Sequence, residues 1–186
     1  VVRRNGVIDI LRDRLTGVTE MISLTDTGGQ ANKDSFTRCP AISADGRYVV
    51  FYSQADNLTD DVDTLGFFDI YLRDRVLETT VRLTAGWNGE EADGDSQYPT
   101  ISADGKWVAF YSSATNLVKA DTNGKIDVFV YSLESGETQR VSVSDGGEQG
   151  NDDSDLAAIS GAGQYVAFYS LASHLVISDT NEAADI

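Results

Sequence analysis

A chain of 186 residues with 41% hydrophobic content has the length and apolar fraction of one folded domain, which argues against a disordered polymer. Fourteen Lys and Arg against 30 Asp and Glu leave a formal charge of −16, which repels phosphates and anionic headgroups over a Debye length of about 8 Å, so no nucleic acid is expected as a partner. No run of 18 apolar residues offers membrane insertion, and one cysteine excludes an internal disulfide.

In chain order, Val7-Ile8-Asp9-Ile10-Leu11-Arg12-Asp13-Arg14 is a short apolar segment, followed by a Leu15-Thr16-Gly17 turn and Thr19-Glu20-Met21-Ile22-Ser23; the pair reads as a hairpin. A second kind of hairpin runs from Ile42 to Ser53 around Ala44-Asp45-Gly46, where glycine supplies the positive φ of a tight turn. The first kind returns as Phe68 to Arg75 with Thr80 to Thr84, and the second as Ile101 to Ser112. Ile126 to Tyr131 with Thr138 to Ser142, and then Ile159 to Ser170, repeat the alternation, and Asp185-Ile186 opens another copy. Each period is therefore two hairpins, or four strands, and nothing has helical spacing.

Val49 and Phe51 alternate with Val50 and Tyr52, which puts apolar groups on both faces of one strand. Such a strand must be covered on both sides, and a four-stranded unit of this kind is buried only by stacking with its neighbours, as propeller blades do. The motif Ile-Ser-Ala-Asp-Gly-(Arg/Lys)-x-Val-(Val/Ala)-Phe, with Asp69-Ile70-Tyr71 and Asp127-Val128-Phe129 downstream, resembles the TolB-type, WD-repeat-like β-propeller family. It departs in the last copy, where Ala162 stands for Asp45 and Asp104, and Ala157 for Pro40 and Pro99.

The resemblance implies an all-β fold of four-stranded antiparallel blades, with strands A to D running from the axis outward. On that reading residues 1–24 are a half blade of strands C and D, 40–84 and 98–143 are blades, and 157–186 are a half blade of strands A and B with the start of C. Three blade-equivalents are too few for a ring. The expectation is a homodimer in which the two half blades complete each other and close a six-bladed propeller; the rival is a fragment of a longer propeller protein. The family implies a periplasmic or extracellular site for a chain that has lost a leader, and the cytoplasm otherwise.

Candidate sites are few. His174, the single histidine, falls where the sibling copies have Asn57 and Asn116, which reads as a loop residue. Cys39 precedes strand A at a packing position. Asp121, Asn123 and Asp127, echoed by Asp179, Asn181 and Asp185, set oxygen ligands at positions 1, 3 and 7, like the front half of a calcium loop without its closing glutamate. Asx-type turns bonding local amides are the alternative. The B to C and D to A loops hold well over half of the acidic residues, and Asp34-Ser35, Asp95-Ser96 and Asp153-Ser154 recur before strand A, near the mouth of the central channel. The expected function is a non-catalytic binding scaffold whose acidic face attracts a peptide, a protein or a cation. The competing expectation is a carboxylate-based hydrolase acting on a glycan, which needs two carboxylates about 5–9.5 Å apart, one with a raised pKa.

Overall fold

The computed structural model describes residues 9–61 and 63–176, with the side chains of 37–40 left aside. Its twelve described elements are all strands in four antiparallel sheets. The first sheet pairs β1 (Ile10–Arg12) with β2 (Thr19–Met21). The second is ordered β3 (Ser35–Ile42), β4 (Tyr48–Ser53), β5 (Asp69–Asp74), β6 (Thr79–Arg82). The third repeats it as β7 (Ser96–Ile101), β8 (Trp107–Ser112), β9 (Asp127–Ser132), β10 (Thr138–Arg140). The fourth pairs β11 (Ser154–Ile159) with β12 (Val166–Ser170).

The two-faced strands account for the stacking. Val49 and Phe51 of β4 join Ile22 and Leu11 of the first sheet in one core, while Val50 and Tyr52 join Val108 and Phe110 of β8 in the next. Ala109 of β8, facing the other way, meets Ala157, Val166 and Phe168 of the fourth sheet. Sheet follows sheet, each pair enclosing one apolar layer. β3 packs against β7 and β7 against β11, so these three first strands form the inner edge around which the sheets are arrayed.

A second device locks neighbours together at the turn between the first two strands of a sheet. Asp104 N–H donates to Gly161 C=O, and Ala44 N–H to Ala103 C=O, each bond running from one sheet's turn to the next. The Trp107 ring abuts Gly163, where an added Cβ would stand 2.1 Å from Trp107 Cδ1, and Tyr48 abuts Gly105, 2.9 Å from an added Cβ. Both glycines also have positive φ, so two independent constraints select glycine at each.

One departure from the sequence reading concerns the inner strands. β3, β7 and β11 begin at Ser35, Ser96 and Ser154 rather than at 40, 98 and 157, because a bulge in each carries the pairing past the irregular residues. Tyr98 and Leu156 sit in these bulges with φ of 51° and 49°. In the first hairpin Asp9 takes the register of Ile70, as the pairing of residues 7–14 with residues 68–75 implies. Asp13 caps its turn by accepting from Leu15 and Thr16 N–H as Asp74 does from Val76 and Leu77, and Asp9 N–H donates to Ser23 Oγ as Ile70 N–H donates to Thr84 Oγ1. The turn fixes the register, and the nearby Asp-Ile pair is one residue out of step with it. Cys39 falls among the residues whose side chains are left aside.

Candidate functional site

The loops entering the third strand and those entering the first strand of the following sheet hydrogen-bond to one another, so they share one face. Phe68 N–H donates to Asp95 at 2.8 Å while Ser96 N–H donates to Phe68 C=O; Ile126 N–H donates to Asp153 at 2.9 Å while Ser154 N–H donates to Ile126 C=O. Each Asp-Ser pair is thus a clamp onto the preceding sheet. The serines are fully buried in three matching pairs, Ser35 with Ser53, Ser96 with Ser112 and Ser154 with Ser170. This corrects the expectation that these residues present themselves to a ligand: Ser35, Ser96 and Ser154 lie inside the sheets, and Asp95 and Asp153 hold backbone amides. Asp34 occupies the same place in β3's approach, and its C=O accepts from Gln54 N–H and Ser53 Oγ.

Other acidic groups on this face are also engaged, Glu91 and Asp152 across the sheet junctions and Asp93 and Asp56 between the loops that flank a single sheet. Glu91 accepts from Thr64 N–H and Oγ1, Asp93 from Thr115, Asp56 from Lys33 and Asn32, and Asp152 from Lys125. Those bonds to lysine hold the Asp56 and Asp152 carboxyls below the usual range. Acidity visible in the sequence therefore works partly as mortar between sheets and partly as a tie between the loops of one sheet.

The calcium-loop residues divide. Asn123 Nδ2 donates to Asp127 Oδ2 at 2.8 Å and to Gly150 C=O, and the Arg140 guanidinium reaches Asp127 at 3.0 Å and Asp121 at 3.4 Å. Ser142 Oγ donates to Asp127 Oδ1. The two carboxylates that a cation would join are joined here by Arg140, and no cluster of three His, Cys, Asp or Glu groups with metal-holding geometry occurs among the described residues. Asp179, Asn181 and Asp185 lie outside the described residues. The second sheet has a related arrangement: Arg82 pairs with Asp69 at 3.6 Å, Thr84 Oγ1 donates to Asp69 at 2.6 Å, and Asp63 accepts from the Tyr71 hydroxyl. Burial pushes Asp69 up to about 6, against the hydrogen bond from Thr84 and the charge of Arg82.

His174 stands where Asn57 and Asn116 accept from Asn32 and Asp93 N–H, and its Nδ1 is buried without a hydrogen-bond partner among the described residues.

Sequence reasoning pointed to the channel mouth through the Asp-Ser pairs but did not single out Gln97, Tyr98 or Asp155. There Tyr98 stacks between Tyr52 and Tyr111, with centroids 5.7 and 5.4 Å away, and the Tyr111 hydroxyl donates to Gln97 Oε1. Burial, with Tyr98 and Asp155 nearby, pushes that hydroxyl up to about 12. Asp155, on β11, has a buried Oδ1 with no hydrogen-bond partner among the described residues, and burial followed by the charge of Asp153 raises its pKa. The only signal in the sequence was that Gln97 and Asp155 hold one slot of the repeat.

Comparison with known proteins bears on the fold. No family model matches the chain, and no curated protein matches it. Among solved structures, TolB from Acinetobacter baumannii superposes with a TM-score of 0.50 at 21% identity, covering 88% of this chain and 32% of its own. The tricorn protease superposes with a TM-score of 0.56 at 15% identity, covering 91% of this chain and 14% of its own. The chain thus spans about a third of the length of that TolB. With its serial four-stranded sheets around an inner edge, the chain has the β-propeller fold that TolB and the tricorn protease also have.

Proposed function

We propose that the chain is a non-catalytic binding scaffold, a section of propeller that a second copy completes and whose inner mouth receives a basic segment of a peptide or protein. The observation that carries the binding reading is Asp155, a carboxylate with a buried oxygen that nothing among the described residues satisfies, near Tyr111, whose ring stacks on that of Tyr98. A lysine or arginine brought to it relieves its desolvation and finds aromatic faces for its stem.

Completion by a second copy is supported by matching halves of a junction already present. Between the first two sheets, Asp26 accepts from Thr80 N–H and Thr25 C=O accepts from Arg73, which also donates to Thr80 Oγ1. Arg12 donates to Thr19 Oγ1 in the same way on the first sheet, and Ser144-Asp145 repeat Thr25-Asp26 after the third. Tyr165, the counterpart of Tyr48 and Trp107, is 69% exposed, and Gly46 has no ring over it. In a second copy, Asp145 meets Thr19 and Tyr165 meets Gly46.

Sedimentation equilibrium at micromolar protein tests the ring: twice 20.1 kDa is expected, falling toward the single mass in Asp145→Lys. A single mass at every concentration rules out the second copy. Titration with hexalysine tests the mouth. Saturable binding weakened about tenfold or more by Asp155→Asn is expected, and equal binding by the variant removes Asp155 from the site.

A further inference from the structure

Between the second and third sheets, on their outer side, a groove of about 400 Å³ opens, within the size range of ligand sites. The equivalent space between the first and second sheets is reduced to about 170 Å³, and its wall along β6 is closed by the chain itself. There the Asp26 carboxylate accepts from Thr80 N–H at 2.6 Å, Leu24 C=O accepts from Thr80 Oγ1, and Thr25 C=O accepts from Arg73. The repeat places Trp87 where the plug has Asp26, Thr138 for Thr80, Tyr131 for Arg73 and Lys119 for Asp60.

These replacements change the chemistry of the groove in one direction. Trp87 does not fill it: the residue is 60% exposed, with Lys119 Nζ 5.9 Å from its ring centroid. Val141 N–H donates to Val128 C=O and Ser132 N–H to Glu137 C=O, so the alternate residues Thr138 and Arg140 of β10 turn their backbone groups outward. Thr138 N–H therefore faces the groove as Thr80 N–H faces Asp26, and nothing among the described residues takes the place of that carboxylate. The edge amide remains, the acid that capped it is gone, and Lys119 and an aromatic platform stand beside it.

We propose that this groove is a binding site for an extended peptide segment carrying an aspartate or glutamate, which lies along the β10 edge with its carboxylate on Thr138 N–H and Lys119 and its backbone over Trp87. Strand addition to an exposed edge supplies the backbone bonds, and the charge-assisted contact supplies the preference for an acid. The site is separate from the inner mouth and does not depend on ring closure, since both of its walls belong to one chain.

The plug itself provides the probe: a capped Leu-Thr-Asp-Thr-Gly peptide copying residues 24–28. Added to the full chain at millimolar concentration, it is expected to shift the Trp87 indole and Thr138 amide NMR signals saturably. Replacing its Asp by Asn is expected to weaken binding at least about fivefold, a charge-assisted hydrogen bond being lost. Trp87→Asp restores the internal plug and is expected to abolish binding. Should that variant fail to fold, Lys119→Ala on the exposed side of the groove is expected to weaken binding severalfold. No saturable shift, equal affinity for the Asn peptide, or undiminished binding by folded Trp87→Asp or Lys119→Ala overturns the proposal.

Discussion

The two central sheets and the two terminal ones are written in nearly the same motif and are buried very differently. In β4 and β8, Val50 and Ala109 are wholly buried, whereas Ala167, at the same place in β12, is exposed. Phe51 and Phe110 are wholly buried, while Phe168 is only partly so although it faces the third sheet as they face their own neighbours. The difference lies in what stands on either side. A central sheet is covered on both faces and extended to four strands; a terminal sheet has one covered face and two described strands. Burial in this fold belongs to the junction, and the motif supplies only the capacity for it.

The sharpest way to break the comparison is to cut the same side chain from a central and a terminal sheet. Phe110→Ala is expected to cost about 3–5 kcal/mol, and Phe168→Ala less than half of that, read from urea unfolding midpoints. Equal costs would mean that the fourth sheet is as enclosed as the third. Gly163→Ala comes next. Its Cβ would enter the Trp107 ring, so a loss of about 1–3 kcal/mol is expected, while Gly46→Ala, with no ring above it, carries mainly the φ penalty of about 1 kcal/mol.

Asp69 sharpens the comparison through pH. Its folded pKa of about 6 stands above the ordinary 3.8, so the native state holds this proton more tightly than the unfolded chain. Stability from this group is therefore greatest in acid and declines as pH rises from about 4 to about 6, by roughly 3 kcal/mol. Asp69→Asn is expected to flatten that decline. Asp74 works in the opposite sense: Arg47 lowers its carboxyl, so its contribution is present above the ordinary carboxylate range and is lost as pH falls through its folded pKa. Asp95→Ala is expected to cost about 1 kcal/mol by freeing Phe68 N–H, with Asp153→Ala similar. Millimolar calcium is expected to leave the melting temperature unchanged, because Arg140 already joins Asp121 and Asp127; a rise would restore the cation reading.

The repeat and the two-faced strands could be read directly, because alternation of Val49 and Phe51 with Val50 and Tyr52 has no other covered solution. Recurrence also marked Asp95-Ser96 and Asp153-Ser154, but recurrence carries no direction. Whether such an acid meets solvent or a backbone amide 27 residues earlier is decided by how sheets stack. The mouth at Tyr98 and Asp155 was hidden for a related reason: it is assembled by bulges, whose positive φ at non-glycine residues leaves no mark in composition. The groove at Trp87 was hidden because its meaning lies in a contrast with Asp26, whose role is visible only once Thr80 is seen beside it.

Amide hydrogen exchange on the chain at low concentration addresses the dependence of each sheet on its neighbours most directly. Amides of β4, β5, β8 and β9 should exchange last and together, and those of β1, β2, β11 and β12 at least tenfold faster. Equal protection across all four sheets in a single chain would contradict it.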